Sequence, residues 1–253
     1  MPQPTLNILI LAHPGHELRI HHWLELHRPT VYLLTDGSGG KLSSRTHYSR
    51  AVIENAGGLP GAVFGTITDK AWYSAILGGQ SAFFKTMLNA ILDDIPLDRP
   101  VQIISDALDG YNPMHDMAWA FGKMVQYRLV ASAISARHLC SAATTNVAGK
   151  TEVVLQLNSA ARSRKIAAVE KYTPLAEEAQ RILACDPTAF DQETLISQDF
   201  DWQNDYSPHW EAVGQSRVQS GLYPECITYN GHIRPIWKQL FSETCARPSV
   251  TMG

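Results

Sequence analysis

The sequence predicts an α/β protein, a Rossmann-like three-layer α/β/α fold built on a mainly parallel sheet. Three observations predict it. Short, nearly continuous apolar runs of strand length recur along the chain, which suits strands buried on both faces. Stretches with helical spacing separate those runs, the alternation of βαβ units. Unusual polar residues gather where the apolar runs end, the place where ligands collect in an open parallel sheet.

In chain order, the first strand is predicted at Leu6 to Ala12 (LNILILA) and the second at Thr30 to Thr35 (TVYLLT), which runs into the loop Asp36-Gly37-Ser38-Gly39-Gly40. Ala62 to Ile67, Val101 to Ser105 and Glu152 to Leu157 are the remaining strand candidates. Helical spacing covers Glu17 to Leu26, Arg45 to Ala56, Ser81 to Leu92 and His115 to Arg137. The longest helix is predicted over Ala160 to Leu183, with Ile166, Val169, Tyr172, Leu175, Ala176 and Ala179 on one face and Lys165, Lys171, Glu178 and Arg181 opposite. Asp186 to Pro208 reads as a loop. Trp210 to Leu240 is mixed, with a second half-helical signal. Residues 1–253 are expected to form one domain, with 186–253 as a C-terminal segment packing over or beside the crevice at the strand ends. Trp72, Tyr73, Phe83 and Phe84 read as core, and His21 and His22 as surface.

Composition narrows the function classes. The chain has 253 residues, 45% hydrophobic and 18% charged, which is ordinary for a globular protein and enough for one sizeable core. A formal charge of −3 gives no electrostatic reason to expect nucleic acid. No apolar run approaches the roughly 20 residues that span a bilayer, and the Met1-Pro2-Gln3-Pro4 start lacks the basic residues of a signal peptide. Cys140, Cys185, Cys226 and Cys245 are widely spaced, so reduced thiols and a cytoplasmic location are expected. The expected partner is a small molecule or glycan precursor, with no membrane insertion and room for a homo-oligomer.

The first strand runs into His13-Pro14-Gly15-His16-Glu17, and the strand at Val101 leads through Asp106 and Asp109 to Asn112-Pro113-Met114-His115-Asp116. His13 and His16 flank a Pro-Gly turn, so both rings can face one concavity. His115 from another strand end would complete a three-histidine site with an open position, a normal catalytic zinc arrangement. Metal-free surface histidines are the bland reading of the same spacing. Among nearby groups, Glu17 opens a helix beside a ligand and is a candidate catalytic carboxylate or cap. Asp36 is a candidate for orienting a metal histidine, against plain turn chemistry. Asn112 could donate to an oxyanion. Arg45 could hold a substrate phosphate or carboxylate. Asp109 and His232 are further substrate-binding candidates, and Asp116 reads as helix-start chemistry. The Gly37 to Gly40 loop lacks the spacing of a dinucleotide or nucleoside-triphosphate site.

Ala12-His13-Pro14-Gly15-His16-Glu17 resembles the AHPDDE signature of the PIG-L/LmbE family of zinc-dependent N-deacetylases acting on amino-sugar derivatives. Leu34-Thr35-Asp36-Gly37-Ser38-Gly39 with Arg45 resembles the second block of that family. Asn112-Pro113-Met114-His115 stands in place of its HPDH block, and Lys165-Ile166-Ala167-Ala168 with Tyr172 resembles its KxxAxxxY helix. The C-terminal stretch from Trp210-Glu211 to His232 also resembles endings of sugar-acting members. The resemblance implies that His13 and His115 are metal ligands, with His16 replacing a ligating aspartate. Three neutral imidazoles would leave the metal a stronger Lewis acid.

The departures matter as much. Gly15 stands at the family's general base, Asn112 at a histidine that protonates or polarises the reacting group, Met114 at a further aspartate, and Tyr48 at a glutamate. A general acid or base contributes about 10²- to 10⁴-fold to rate. Another carboxylate (Glu17, Asp36, Asp109 or Asp116) takes over, or the acyl group is reactive, such as a formyl, or the chemistry has changed. The resulting expectation is a zinc- or other divalent-metal-dependent hydrolase removing an N-acyl group from an amino sugar or sugar-like metabolite. Acyl or amide transfer on a glycan precursor is the alternative, and a non-catalytic metal-containing binding protein the third reading.

Overall fold

The structure, a computed structural model, describes residues 3–39, 43–144 and 147–245, with side chains to residue 242. The expectations that involve Met1-Pro2, Gly40 and the Cys245 thiol lie outside what is described.

Seven strands form one sheet in the order β3-β2-β1-β4-β5-β7-β6. They are β1 Leu6–Leu11, β2 Thr30–Leu33, β3 Leu59–Phe64, β4 Val101–Asp106, β5 Ala136–Ser141, β6 Lys150–Gln156 and β7 Gln192–Ser197. The first five pair in parallel, and β7 joins β5 and β6 antiparallel. The α/β reading with a mainly parallel sheet therefore holds. Successive side chains of a strand alternate between faces, and β1 sorts its apolar residues accordingly. Ile8 and Ile10 join a large core under α3 (Asp69–Leu77), α4 (Ser81–Asp93), α5 (Pro113–Ala131) and the C-terminal α9 (Arg234–Cys245). Leu9 and Leu11 join the opposite core, with Trp23 and Leu24 of α1 (His21–His27) and Ile53 of α2 (Thr46–Asn55). Burial on both faces is what made β1 a continuous apolar run. No described helix is long and apolar enough to cross a membrane.

Several elements differ from expectation. The helix predicted from Glu17 begins as a 3₁₀ turn, His16–Ile20, before α1. The long helix over Ala160 to Leu183 is two, α6 (Ser159–Lys171) and α7 (Thr173–Cys185), divided at Tyr172. Pro174 opens α7, where its missing N–H costs nothing, whereas inside a continuous helix it would delete a bond and clash. Lys165, assigned to the polar face, is buried: its Nζ donates to Glu193 at 2.9 Å and to the Arg19 carbonyl at 2.7 Å. Glu193 lies in β7, inside the stretch read as loop, and also accepts the backbone N–H groups of His22 and Trp23 at the start of α1. β3 sits earlier than Ala62 to Ile67, with Pro60 tolerated on this edge strand. α5 stops at Ala131, and β5 occupies the end of the predicted helix and beyond. His21, expected at the surface, is buried. The mixed tail contains α8 (His209–Gln219), a π turn at Tyr229–Ile233 and α9.

Candidate metal centre

The strand order reverses between β1 and β4, since the chain moves outward through β2 and β3 on one side and through β5 on the other. That crevice is where an open α/β sheet binds ligands, and both histidine segments leave the sheet there. His13 and His16 follow β1, and His115 sits in the first turn of α5 after β4. The three rings meet edge to face, with centroids 5.4 Å (His13 to His16), 5.7 Å (His13 to His115) and 4.8 Å (His16 to His115) apart.

Each ring is held from behind through Nδ1. His16 Nδ1 lies 2.9 Å from both oxygens of Asp106, at the end of β4. His115 Nδ1 lies 2.8 Å from Oδ2 of Asp109, whose side chain is fully buried. His13 Nδ1 lies 3.1 Å from Thr35 Oγ1 and 3.4 Å from Asp69 Oδ1. The Thr35 hydroxyl hydrogen is already donated to the Ala12 carbonyl at 2.8 Å, so Thr35 accepts from His13. Acceptors on every Nδ1 select the tautomer with the proton there and a lone pair on Nε2. Metal-ligating histidines commonly have this carboxylate support.

Electrostatics agree. Burial lowers the pKa of His16, favouring the neutral ring, although Asp106 pulls the other way. Burial alone would raise the Asp106 carboxyl, but the adjacent His16 ring and the Arg19 charge outweigh it and hold it far below the usual carboxylate range. Arg19 also hydrogen-bonds Asp106 directly, and the Ala12 N–H donates to the same carboxylate at 2.7 Å. Asp69 is likewise held low: burial alone would raise it, but the adjacent His13 ring and the Gly39 N–H outweigh it.

In kind, three imidazoles that turn Nε2 lone pairs toward one crevice fit a divalent transition ion. In position, among the described residues no group of three or more His, Cys, Asp or Glu side chains meets the geometry of a metal site.

Asn112 stands over the same crevice as the N-cap of α5. Its Oδ1 accepts from the Met114 N–H at 2.9 Å and the Tyr73 hydroxyl at 3.2 Å. With both donors on Oδ1, the amide nitrogen is left to face His13, and Nδ2 lies 3.5 Å from His13 Nε2. Burial pushes the Tyr73 hydroxyl up to about 12, so it remains a donor.

The other candidates are placed differently. Glu17 is buried and its Oε2 accepts the Gly15 N–H at 2.8 Å, a loop-bracing contact within the His13–His16 turn; burial raises its pKa. Gly15 adopts φ +103°, and a side chain there would put Cβ 2.4 Å from Leu175 Cδ1, so the position resists a carboxylate. Asp36 does not orient a histidine. Its Oδ1 accepts from the Ser38 N–H at 2.9 Å and the Asp69 N–H at 3.3 Å, turn chemistry at the start of α3. The orienting work falls to Asp69, Asp106 and Asp109, so Asp109 stands behind His115 rather than facing a substrate. The Gly39 N–H is taken by Asp69 at 2.7 Å and the Ser38 N–H by Asp36, so these two groups are not offered to a phosphate. Arg45 braces the same loop through the Gly37 carbonyl at 2.9 Å. His232 Nδ1 accepts from the Thr228 N–H at 3.0 Å, within its own turn. Asp116 is helix-start chemistry as expected: it accepts from the N–H groups of Asp109 and Gly110 and, at 2.8 Å, from Trp210 Nε1. Burial, then the nearby Asp109 charge, raises it to about 6.

Sequence reading missed Asp69, the role of Asp106, Arg19 and the part played by Tyr73. Asp106 carried a signal, as a charged residue closing an apolar strand. Thr68-Asp69 reads only as a helix cap, and the Thr68 side chain does accept from the Ala71 N–H at 3.1 Å.

No protein-family profile matches the chain, and no curated protein sequence matches it. Two solved structures are similar in shape. One is a zinc-inhibited form of teicoplanin deacetylase Orf2, 11% identical with a TM-score of 0.45. The other is a deacetylase–bog complex from the teicoplanin biosynthesis pathway, 11% identical with a TM-score of 0.42. Each alignment covers 77% of this chain and 100% of the other. At that identity and those scores the likeness does not extend to ligands or chemistry.

Proposed function

We propose that this chain is a diverged member of the PIG-L/LmbE group, a metal-dependent hydrolase that removes an N-acyl group from an amino sugar or sugar-like metabolite. The observation that carries the reading is the trio of imidazoles at the strand-order reversal, each fixed through Nδ1 by a buried oxygen acceptor. His13, His16 and His115 would hold the ion through Nε2. A zinc or similar ion held there would supply Lewis acidity, polarising an acyl carbonyl and making a water nucleophile available near neutral pH. Asn112 Nδ2, aimed by Tyr73 and the Met114 N–H, serves as the hydrogen-bond donor to the developing oxyanion. Trp210 and Tyr206, both on Asp116, tie the C-terminal segment to the loop before α5 and support its place as a wall of the crevice.

The carboxylates favoured from sequence as general base do not fit that role well. Glu17 is fully buried, with Oε2 on the Gly15 N–H and Oε1 without a partner among the described residues, Asp36 is committed to backbone N–H groups, and Asp109 and Asp116 to His115 and to the loop. This favours an acyl group reactive enough to be hydrolysed without a dedicated carboxylate base, such as a formyl. It equally sustains the second reading, a different acyl or amide transfer on a glycan precursor.

Metal content of the purified protein tests the proposal. Near-stoichiometric zinc in the wild type, lost in His16→Ala and His115→Ala, supports it and justifies screening N-formyl and N-acetyl amino sugars. No bound metal, and none taken up on zinc addition, removes the hydrolase reading.

A further inference from the structure

Of the three crevice histidines, His16 is the one that packing holds least. Its side chain is 19% exposed, against 10% for His13 and 6% for His115, and it opens a short 3₁₀ turn. Such a ring keeps one direction only if polar contacts offset the rotamer freedom it gives up. Arg19, three residues on in the same turn, touches both ends of the residue. Its Nε donates to the His16 carbonyl at 3.2 Å, and its Nη2 donates to Oδ1 of Asp106, the carboxylate behind the ring. The Ala12 N–H takes the other oxygen, Oδ2, at 2.7 Å. With a donor on each oxygen the carboxylate is held against rotation, and His16 Nδ1 lies 2.9 Å from both. Among the described residues, the carboxylates beside the other two rings, Asp69 and Asp109, meet no such cation. Arg19 is itself anchored from outside the crevice, where its carbonyl accepts from Lys165 Nζ at 2.7 Å.

We propose that Arg19 is a positioning residue for the proposed reaction, clamping the His16 carbonyl and Asp106 together so that the His16 ring presents Nε2 to the crevice. The assignment rests on the hydrolase reading for its purpose but not for its test, because the clamp belongs to the metal-free chain. Shape matters here as much as charge. A guanidinium meets two acceptors in fixed directions, whereas the compact ammonium of a lysine is a point charge that reaches one of them.

The test compares the full-length wild type with Arg19→Lys, which keeps the charge beside Asp106, and with Arg19→Met, which removes it. Nitrogen-15 histidine spectra of the metal-free proteins, taken at about pH 8 where imidazole is neutral, read the tautomers, with His16 assigned from His16→Ala. Wild-type His16 should be a single Nδ1–H tautomer. Arg19→Lys should melt like the wild type, yet show His16 as a mixture of both tautomers while His13 and His115 stay unchanged. Chelator competition should then find zinc affinity about tenfold lower in Arg19→Lys, and lower again in Arg19→Met, within the range such supporting contacts contribute. A His16 tautomer unmoved in both variants overturns the proposal. So does an equal disturbance of all three histidines, which would make Arg19 a general brace of the fold, and so does unchanged zinc affinity beside a mixed tautomer. Absence of zinc uptake by the wild type would remove the hydrolase reading alone, and the tautomer result would still uphold or overturn the clamp.

Discussion

Two buried polar clusters meet at the 3₁₀ turn His16–Ile20, and they differ in what they leave over. On one side, Lys165 and Glu193 satisfy each other, the Arg19 carbonyl and two N–H groups of α1. On the other, Asp106 gathers His16, Arg19 and the Ala12 N–H, but the histidine it fixes keeps its second nitrogen uncommitted. The first cluster is closed and the second is open. A closed cluster orients elements of the fold; an open one, repeated three times around one crevice, orients donors toward something that is not part of the chain. Total burial does not separate the two, because Asp106 and Glu193 are both interior. The unused valence does.

The closed cluster should show the larger effect on stability. Lys165→Ala strands the Glu193 carboxylate in the interior, and breaking a buried pair from one side costs about 3–5 kcal/mol. Urea unfolding should show a loss of that size with little change in zinc uptake. A loss below about 1 kcal/mol, the range of exposed pairs, would mean that the pair is solvated and the contrast is false.

A histidine outside the crevice sharpens the comparison. His138 in β5 lies with Nε2 2.8 Å from Ser105 Oγ, and burial, helped by the charge of Lys123, lowers its pKa to about 3. The folded state therefore keeps the ring neutral while the unfolded chain protonates near 6.5. Between those values the unfolded state binds more protons, so the His138 contribution is complete above pH 6.5 and declines in acid by about 1.4 kcal/mol per unit. Stability of the wild type should fall by roughly 3 kcal/mol more than that of His138→Gln between pH 7 and pH 4. Parallel stability curves for the two proteins would show that His138 titrates normally.

How much of this was legible in the sequence depends on whether the cause was local. β1, β2 and β4 announce themselves because burial on both faces forces uninterrupted apolar runs. β5 and β7 do not, since Arg137 and His138 interrupt one and Gln192, Glu193 and Thr194 fill the other. Glu193 is interior only because Lys165 reaches it from α6, a fact no local window contains. The three histidines were readable because strand ends and a Pro-Gly turn are local features. Their supports were not, as Thr35 and Asp69 reach His13 from 22 and 56 positions C-terminal to it and Asp106 reaches His16 from 90. Glu17 and Asp36 looked available because sequence reading sees a carboxylate but not the backbone N–H already held by it.

The open cluster should answer to metal rather than to denaturant. Asp106→Asn leaves His16 in place but weakens the acceptor that fixes its tautomer, and loss of such support lowers metal affinity by about 10- to 100-fold. Competition with a chromophoric chelator reads this directly. Unchanged zinc affinity would show that His16 needs no orienting and would remove the argument drawn from the Nδ1 contacts.

The smallest effect belongs to Tyr73, and it tests the aim of Asn112. Tyr73→Phe deletes one of two donors that pin Asn112 Oδ1, while the Met114 N–H remains. A hydrogen bond of this kind contributes about 0.5–1.5 kcal/mol. Asn112 should therefore lose part of its preference for presenting Nδ2 to the crevice without losing its cap. Once an acylated substrate is found, the expected result is a kcat lowered about two- to tenfold with KM nearly unchanged, since an oxyanion donor acts mainly in the transition state. Asn112→Ala should lower kcat further, and the two changes together should be no worse than Asn112→Ala alone, because Tyr73 acts through Asn112. A raised KM at constant kcat would instead make Tyr73 a substrate contact. Additive losses in the double variant would break the link between the two residues, leaving the Asn112 amide free to turn either way.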